Sequence, residues 1–306
     1  MTVSAQALAA QLARPLPRRW LDRSQLLVGT LGALLVLTGA AGLIYQVVWF
    51  RVLGLVFGVT VHATSAVLAA FMAGLALGSF AAGRFVDRLR NPLAAYGRLE
   101  VLIGLAGLAS LPAFDVLQPV YRWLAGNLTD SAVFLTVIRF VLAFAIMLVP
   151  TTFMGSTLPI VVKSSLLRSY GAEQNVSRLY AANTFGAILG TFLAGFLLIG
   201  LFGITVATGV AAALNVVVGV GCIALASGPF RPSSADPPPS ANVAQLLATT
   251  SGAEPVAVSA QPQARGESRF TRIVLVAYGI SGGLALAYEV VWTRMLGIVF
   301  PQTVYA

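Results

Sequence analysis

Six apolar runs, each about as long as a bilayer is thick, follow one another between Leu26 and Ala226, with arginines gathered in alternate connections. A helix needs ~20 mostly apolar residues to cross the hydrocarbon core, and these runs meet that length. Charged residues are only 9% of the chain and hydrophobic ones 58%, whereas a soluble domain carries about a quarter charged residues because its surface faces water. Lipid is therefore the expected surroundings, and the bilayer the first partner. Strands of a membrane barrel alternate polar and apolar residues, and these runs do not. The fold class is all-α, a polytopic helical membrane protein.

One stretch occurs twice. Thr38 to Ala63 reads TGAAGLIYQVVWFRVLGLVFGVTVHA, and Ser281 to Ala306 reads SGGLALAYEVVWTRMLGIVFPQTVYA. Without a gap, Tyr45 falls on Tyr288, Trp49 on Trp292, Arg51 on Arg294 and Gly54 on Gly297. About half the positions are identical, which reads as an internal duplication. The expected organisation is a cytoplasmic basic tail over 1–25, a six-helix membrane repeat over 26–226, a disordered cytoplasmic linker over 227–269, and the truncated first helix of a second repeat over 270–306.

The expected spans are 26–48, 62–82, 94–114, 131–162, 179–201, 204–226 and 270–291. Trp49 to Phe57 is expected at the interface, where Trp rings and Arg heads settle, and residues 115–130 as a loop. Pro150 lacks a backbone donor, so a kink is expected between Pro150 and Pro159. Residues 227–268, rich in Pro, Ser and Ala, have no apolar periodicity and read as linker. Fifteen of the nineteen Lys and Arg lie in the tail, the connections after the second and fourth spans and the linker flanks, or within about a turn of them. Positive charge marks the cytoplasmic side. The N-terminus is thus expected in the cytoplasm of a multi-pass protein of the inner (plasma) membrane, with the two repeats parallel.

Small residues recur four apart at Ala66, Ala70, Gly74, Gly78 and Ala82, and again at Ala182, Gly186, Gly190 and Ala194. Such stripes let helix backbones approach closely in lipid. The single cysteine, Cys222, cannot form an internal disulfide and reads as a small core residue. The net charge of +9 sits at helix ends and not on a face with interleaved aromatics, so nucleic acid is not an expected partner.

An ionisable group within a span costs roughly 2.5 to 3.5 kcal/mol on insertion scales and so faces water or a partner. Arg139 lies about two turns inside the fourth span. Gln46 and Glu289 occupy matching positions in the two copies of the repeated stretch, so a polar layer of Arg139, Gln46 and Glu289 is one candidate substrate pathway. Tyr45, Trp49 and Asn183 join it as candidates, against the plainer readings of aromatic belt and interhelical hydrogen bond. Glu100, two residues after Arg98, reads as an interfacial pair; Asn215 reads as a helix-joining amide and His62 as interfacial. Walker loop, H-E-x-x-H, nucleophile elbow and cysteine cluster are missing, so no catalytic residue, cofactor or metal is assigned. Gly219-Val220-Gly221 lies within a span with no strand before it, and is no nucleotide fingerprint.

Gly83-Arg84-Phe85-Val86-Asp87-Arg88 resembles the loop signature of the major facilitator superfamily, with Asn91-Pro92 where basic residues are usual. That resemblance implies a cytoplasmic gating loop at Gly83, Asp87 and Arg88. Four further motifs resemble a family of membrane-fused spermidine synthase-like proteins. They read G-x-x-x-L-x-Y-Q/E-V-V-W-x-R-x-L-G at Gly39 to Gly54, A-F-M-x-G-L-A-L-G-S-F-x-x-G-R at Ala70 to Arg84, P-T-x-x-M-G-x-T-L-P at Pro150 to Pro159, and L-Y-x-x-N-T-x-G-A-x-x-G at Leu179 to Gly190.

The resemblance implies a facilitator-like membrane region joined to a cytoplasmic aminopropyltransferase domain. It implies transport of polyamines or related small cationic amines, or their delivery to that domain. The second repeat and the enzyme domain are then the expected partners within a longer protein. No soluble segment here could house the enzyme's sheet and glycine-rich turn. The alternative is a membrane anchor or scaffold for the aminopropyltransferase that transports nothing.

Overall fold

In the computed structural model, the described residues are 18–57, 61–127, 132–163, 172–227 and 269–299, and they are helical apart from a link at 89–91. We number the helices α1 (Arg18–Phe57), α2 (Val61–Phe85), α3 (Pro92–Asn127), α4 (Ala132–Lys163), α5 (Ala172–Leu193), α6 (Gly203–Ser227) and α7 (Arg269–Val299). A short 3-10 turn, Val86–Arg88, follows α2, and α5 continues as a π-helix, Ala194–Phe202. No strand occurs among the described residues.

Among the described residues six runs are long and apolar enough to cross a bilayer, the last two being Val176–Ser227 and Thr271–Trp292. The first of these, at 52 residues, would extend about 78 Å, more than twice the ~30 Å hydrocarbon core. It divides at Gly203, whose φ of 82° is left-handed backbone that favours glycine. The run therefore divides into two helical lengths, α5 with its π-helical continuation and α6, each long enough to cross a bilayer.

Several boundaries differ from expectation. α1 begins at Arg18, so the last part of the expected tail is helical, and it runs unbroken past Trp49 to Phe57. α3 runs through the expected loop to Asn127, carrying Pro112 and Pro119 inside it. Ser110, Phe114 and Leu117 are buried, so an apolar face continues at helical spacing beyond the expected end. Arg178, expected in a connection, lies within α5. Residues 1–17 and 228–268, which hold most of the tail and linker, lie outside the described residues.

Val28–Arg231, from α1 to α6, packs within one compact unit, whereas most of α7 falls in the other, Pro232–Tyr288, and is described by itself. The small-residue stripes decide the pairing. A Cβ on Gly186 would strike the backbone of Val36, and one on Gly190 that of Ala40, so α5 lies directly on α1. Likewise Gly74 faces Thr151 and Gly78 faces Thr152, placing α2 on α4. In both pairs the contact positions rise together, so the paired helices are parallel. α3 meets α6 at two glycines: a Cβ on Gly97 would lie 2.6 Å from the Gly219 oxygen, and one on Gly219 would lie 2.6 Å from the Gly97 oxygen. Gly104 in turn faces Ala212, so this pair is antiparallel.

The three pairings obey a rule. Exchange α1 with α4, α2 with α5 and α3 with α6, and the α1·α5 pair becomes α4·α2 while α3·α6 maps onto itself. The sequences of α2 and α5 carry the same relation. Ala69, Ala70, Gly74, Leu77, Gly78, Phe80, Ala82 and Gly83 match Ala181, Ala182, Gly186, Leu189, Gly190, Phe192, Ala194 and Gly195 at one constant offset. Trp49, eight residues before the end of α1, packs its ring 6.3 Å from that of Phe71, ten residues into α2, so the two form an antiparallel hairpin. Because α4 runs parallel to α2, α4 is antiparallel to α1. The bundle is thus two three-helix halves of opposite direction.

Candidate functional site

Where α1 meets α3, two aromatic side chains are locked in. Tyr45 and Trp49 are one turn apart on α1 and both are 0% exposed. Their rings stack at 5.5 Å with an 18° interplanar angle, and Gly107 of α3 leaves the room that the Tyr45 ring fills. The Trp49 Nε1–H donates to Ser110 Oγ at 2.9 Å, and Ser110 Oγ in turn donates to the Gly107 carbonyl at 2.6 Å. The Tyr45 hydroxyl points at the Gly104 carbonyl, 3.5 Å away. Both polar tips are therefore answered within protein. The belt reading of these two residues is corrected: α1 extends two further turns, so Trp49 lies inside the bundle and not at a helix end.

A second polar group lies beside this seam. Glu100 of α3 is 1% exposed and its Oε2 has no hydrogen-bond partner. The Tyr96 hydroxyl, one turn earlier, is within hydrogen-bonding reach of the carboxyl and also contacts Thr38 Oγ1 of α1 at 3.5 Å. Tyr45 from α1 and Cys222 from α6 face the same carboxyl. Asn215 of α6 is 2% exposed, and its Oδ1 is likewise unpartnered. The reading of Glu100 as an interfacial partner of Arg98 is overturned. Residues two apart on a helix point to different faces, and Arg98 is exposed while Glu100 is buried.

The remaining candidates separate. Gln46 is half-buried on α1, and Asn183 is half-buried on α5, its carbonyl set against Gly39. Arg139 lies on α4, but its side chain is outside the described residues, as is that of His62. Glu289 lies exposed on α7. Of the pathway candidates, the structure brings Tyr45 and Trp49 together. Gly83, Asp87 and Arg88 are exposed at the end of α2 and its 3-10 turn. There the Arg84 guanidinium lies 3.4 Å from the Phe80 ring centre and that of Arg88 5.9 Å from Phe85, so arginine stacks on aromatic faces.

The residue missed in the sequence is Glu100. Its signal was spacing: it stands three after Gly97 and four before Gly104, on the side of α3 that packs closely against α6. No group of three or more metal-ligating side chains occurs among the described residues. Comparison with protein-family models, with curated proteins and with solved structures finds no match.

Proposed function

We propose that this chain is the membrane region of a facilitator-like, spermidine synthase-fused protein that handles polyamines or related small cationic amines. The observation that carries this reading is where the four family-like motifs fall. The first and the fourth meet in the α1·α5 seam, with Gly39 against Asn183 and Ala40 against Gly190. The second and the third meet in the α2·α4 seam, with Gly74 against Thr151 and Leu75 against Gly155. Residues far apart in sequence thus act as one packing scheme. Inverted three-helix repeats of this kind build each half of facilitator transporters, which supports the transport reading. A mechanism of that type rocks one six-helix repeat against another around a central site, for which Gln46, Arg139 and Glu289 are the candidate residues. Amine specificity rests on the resemblance alone.

The burial of Tyr45 and Trp49 favours the second reading, a scaffold that presents an aminopropyltransferase at the membrane without transporting. Two pathway candidates are used up in packing, and a scaffold has no need of a wet cavity.

Thiol labelling at Gln46→Cys in lipid vesicles decides between them, because the native Cys222 is buried. Transport requires that a membrane-impermeant maleimide reach position 46 and that spermidine protect it. Absence of labelling leaves the scaffold, and labelling without protection by any polyamine removes the amine class.

A further inference from the structure

We propose that Glu100 is a proton-binding site, holding the α3·α6 seam closed while its carboxyl carries a proton. This stands apart from the transport reading and applies equally to a scaffold.

The seam is built on contact between backbones. Gly97 and Gly219 touch without side chains between them, and Gly104 lies against Ala212. Glu100 emerges between those two contacts, about 12 Å along α3 from its start at Pro92. Among the described residues, the groups acting on its carboxyl are uncharged as partners: Tyr96 from α3 itself, Tyr45 from α1 and Cys222 from α6. Among the described residues no Lys, Arg or His of α1, α4 or α6 acts on it. An isolated carboxylate buried in a low-dielectric interior is so costly that the group neutralises instead.

The ligand must supply positive charge and must fit. An amine or hydrated metal ion would have to part helices whose backbones already touch. A proton needs no room. It also converts Glu100 from an acceptor-only group into one with an O–H donor, and the seam holds an acceptor with none, Asn215 Oδ1. Two buried acceptors without donors, one on α3 and one on α6, are the chemistry that a single added proton relieves. Loss of the proton leaves a bare charge there, and water or a cation must then enter by separating α3 from α6.

Infrared difference spectroscopy of the full chain in lipid vesicles tests this directly. A protonated-carboxyl C=O band is expected at near-neutral pH, sensitive to deuterium exchange, shifted in Glu100→Asp and lost in Glu100→Gln. In wild type the band should disappear at alkaline pH as Cys222 becomes reactive to maleimide. Glu100→Gln, which cannot ionise, should keep Cys222 protected beyond the thiol's own pH response. A wild-type spectrum without the band overturns the proposal, since a carboxylate answered by a cation such as Arg139 shows none. So does a band that sodium ions displace, which makes the ligand a metal cation. Should Glu100→Gln fail to fold, the Glu100→Asp shift and the wild-type alkaline loss still decide.

Discussion

Ser79 of α2 donates its hydroxyl to the carbonyl of Gly155 on α4 at 2.8 Å. Pro159, four residues after Gly155, has no N–H to give that carbonyl, so the helix itself leaves it open. A neighbouring helix repairs the gap, which is how prolines are tolerated within membrane spans. In the other direction Ser156 donates to the Gly78 carbonyl at 3.1 Å.

Ser79→Ala should therefore destabilise the bundle by about 0.6 kcal/mol, the average for interhelical hydrogen bonds in a membrane, with ~1.7 as the upper bound. Pro159→Ala restores the intrahelical donor and should make the Ser79 change close to neutral. A double-mutant cycle read by denaturant unfolding in mixed micelles measures this coupling, and simple additivity of the two changes would contradict it.

Replacing Gly219 by Ala places a Cβ 2.6 Å from the Gly97 oxygen. Backbone must shift to accept it, and overpacking of this kind costs about 1–3 kcal/mol. The same loss is expected for Gly97→Ala. Gly221→Ala, two residues on and on another side of the helix, with open space around it, should be near-neutral. Unfolding midpoints of the three variants provide the comparison.

Ser110→Ala removes the acceptor of the buried Trp49 N–H. An unsatisfied buried donor costs about 1–3 kcal/mol. Pairing the change with Trp49→Phe should recover part of the loss, because no donor is then stranded. Trp fluorescence provides a second readout in the single variant, since altered polarity at the indole moves its emission.

Arg139→Leu addresses the polar layer. With transport or amine protection at Gln46 intact in this variant, the layer has no role in the pathway. Loss of that protection, with the unfolding midpoint unchanged, assigns Arg139 to the site.

Much of this architecture was legible in the residues. Length and apolarity alone give the crossings, because the bilayer sets a minimum helix length. The glycine and alanine stripes announce close packing, yet which stripe meets which depends on contacts between distant segments, and the one-dimensional pattern holds no such record. Trp49 was misplaced because a Trp-Phe-Arg run looks like a helix end; nothing local shows that α1 persists for about 12 Å beyond it. Glu100 was misread for a simpler reason. Arg98 is its neighbour in sequence, but the helical turn carries the two to different sides.

The reciprocal serine bonds joining α2 to α4 have a mechanical consequence. Sliding one helix along the other by a single residue, about 1.5 Å, would stretch both serine bonds and carry the Leu75 backbone off Gly155 toward neighbours that have a Cβ. These two helices are keyed like meshed teeth and must travel as one rod, so flexing of the protein has to be sought along its other grooves.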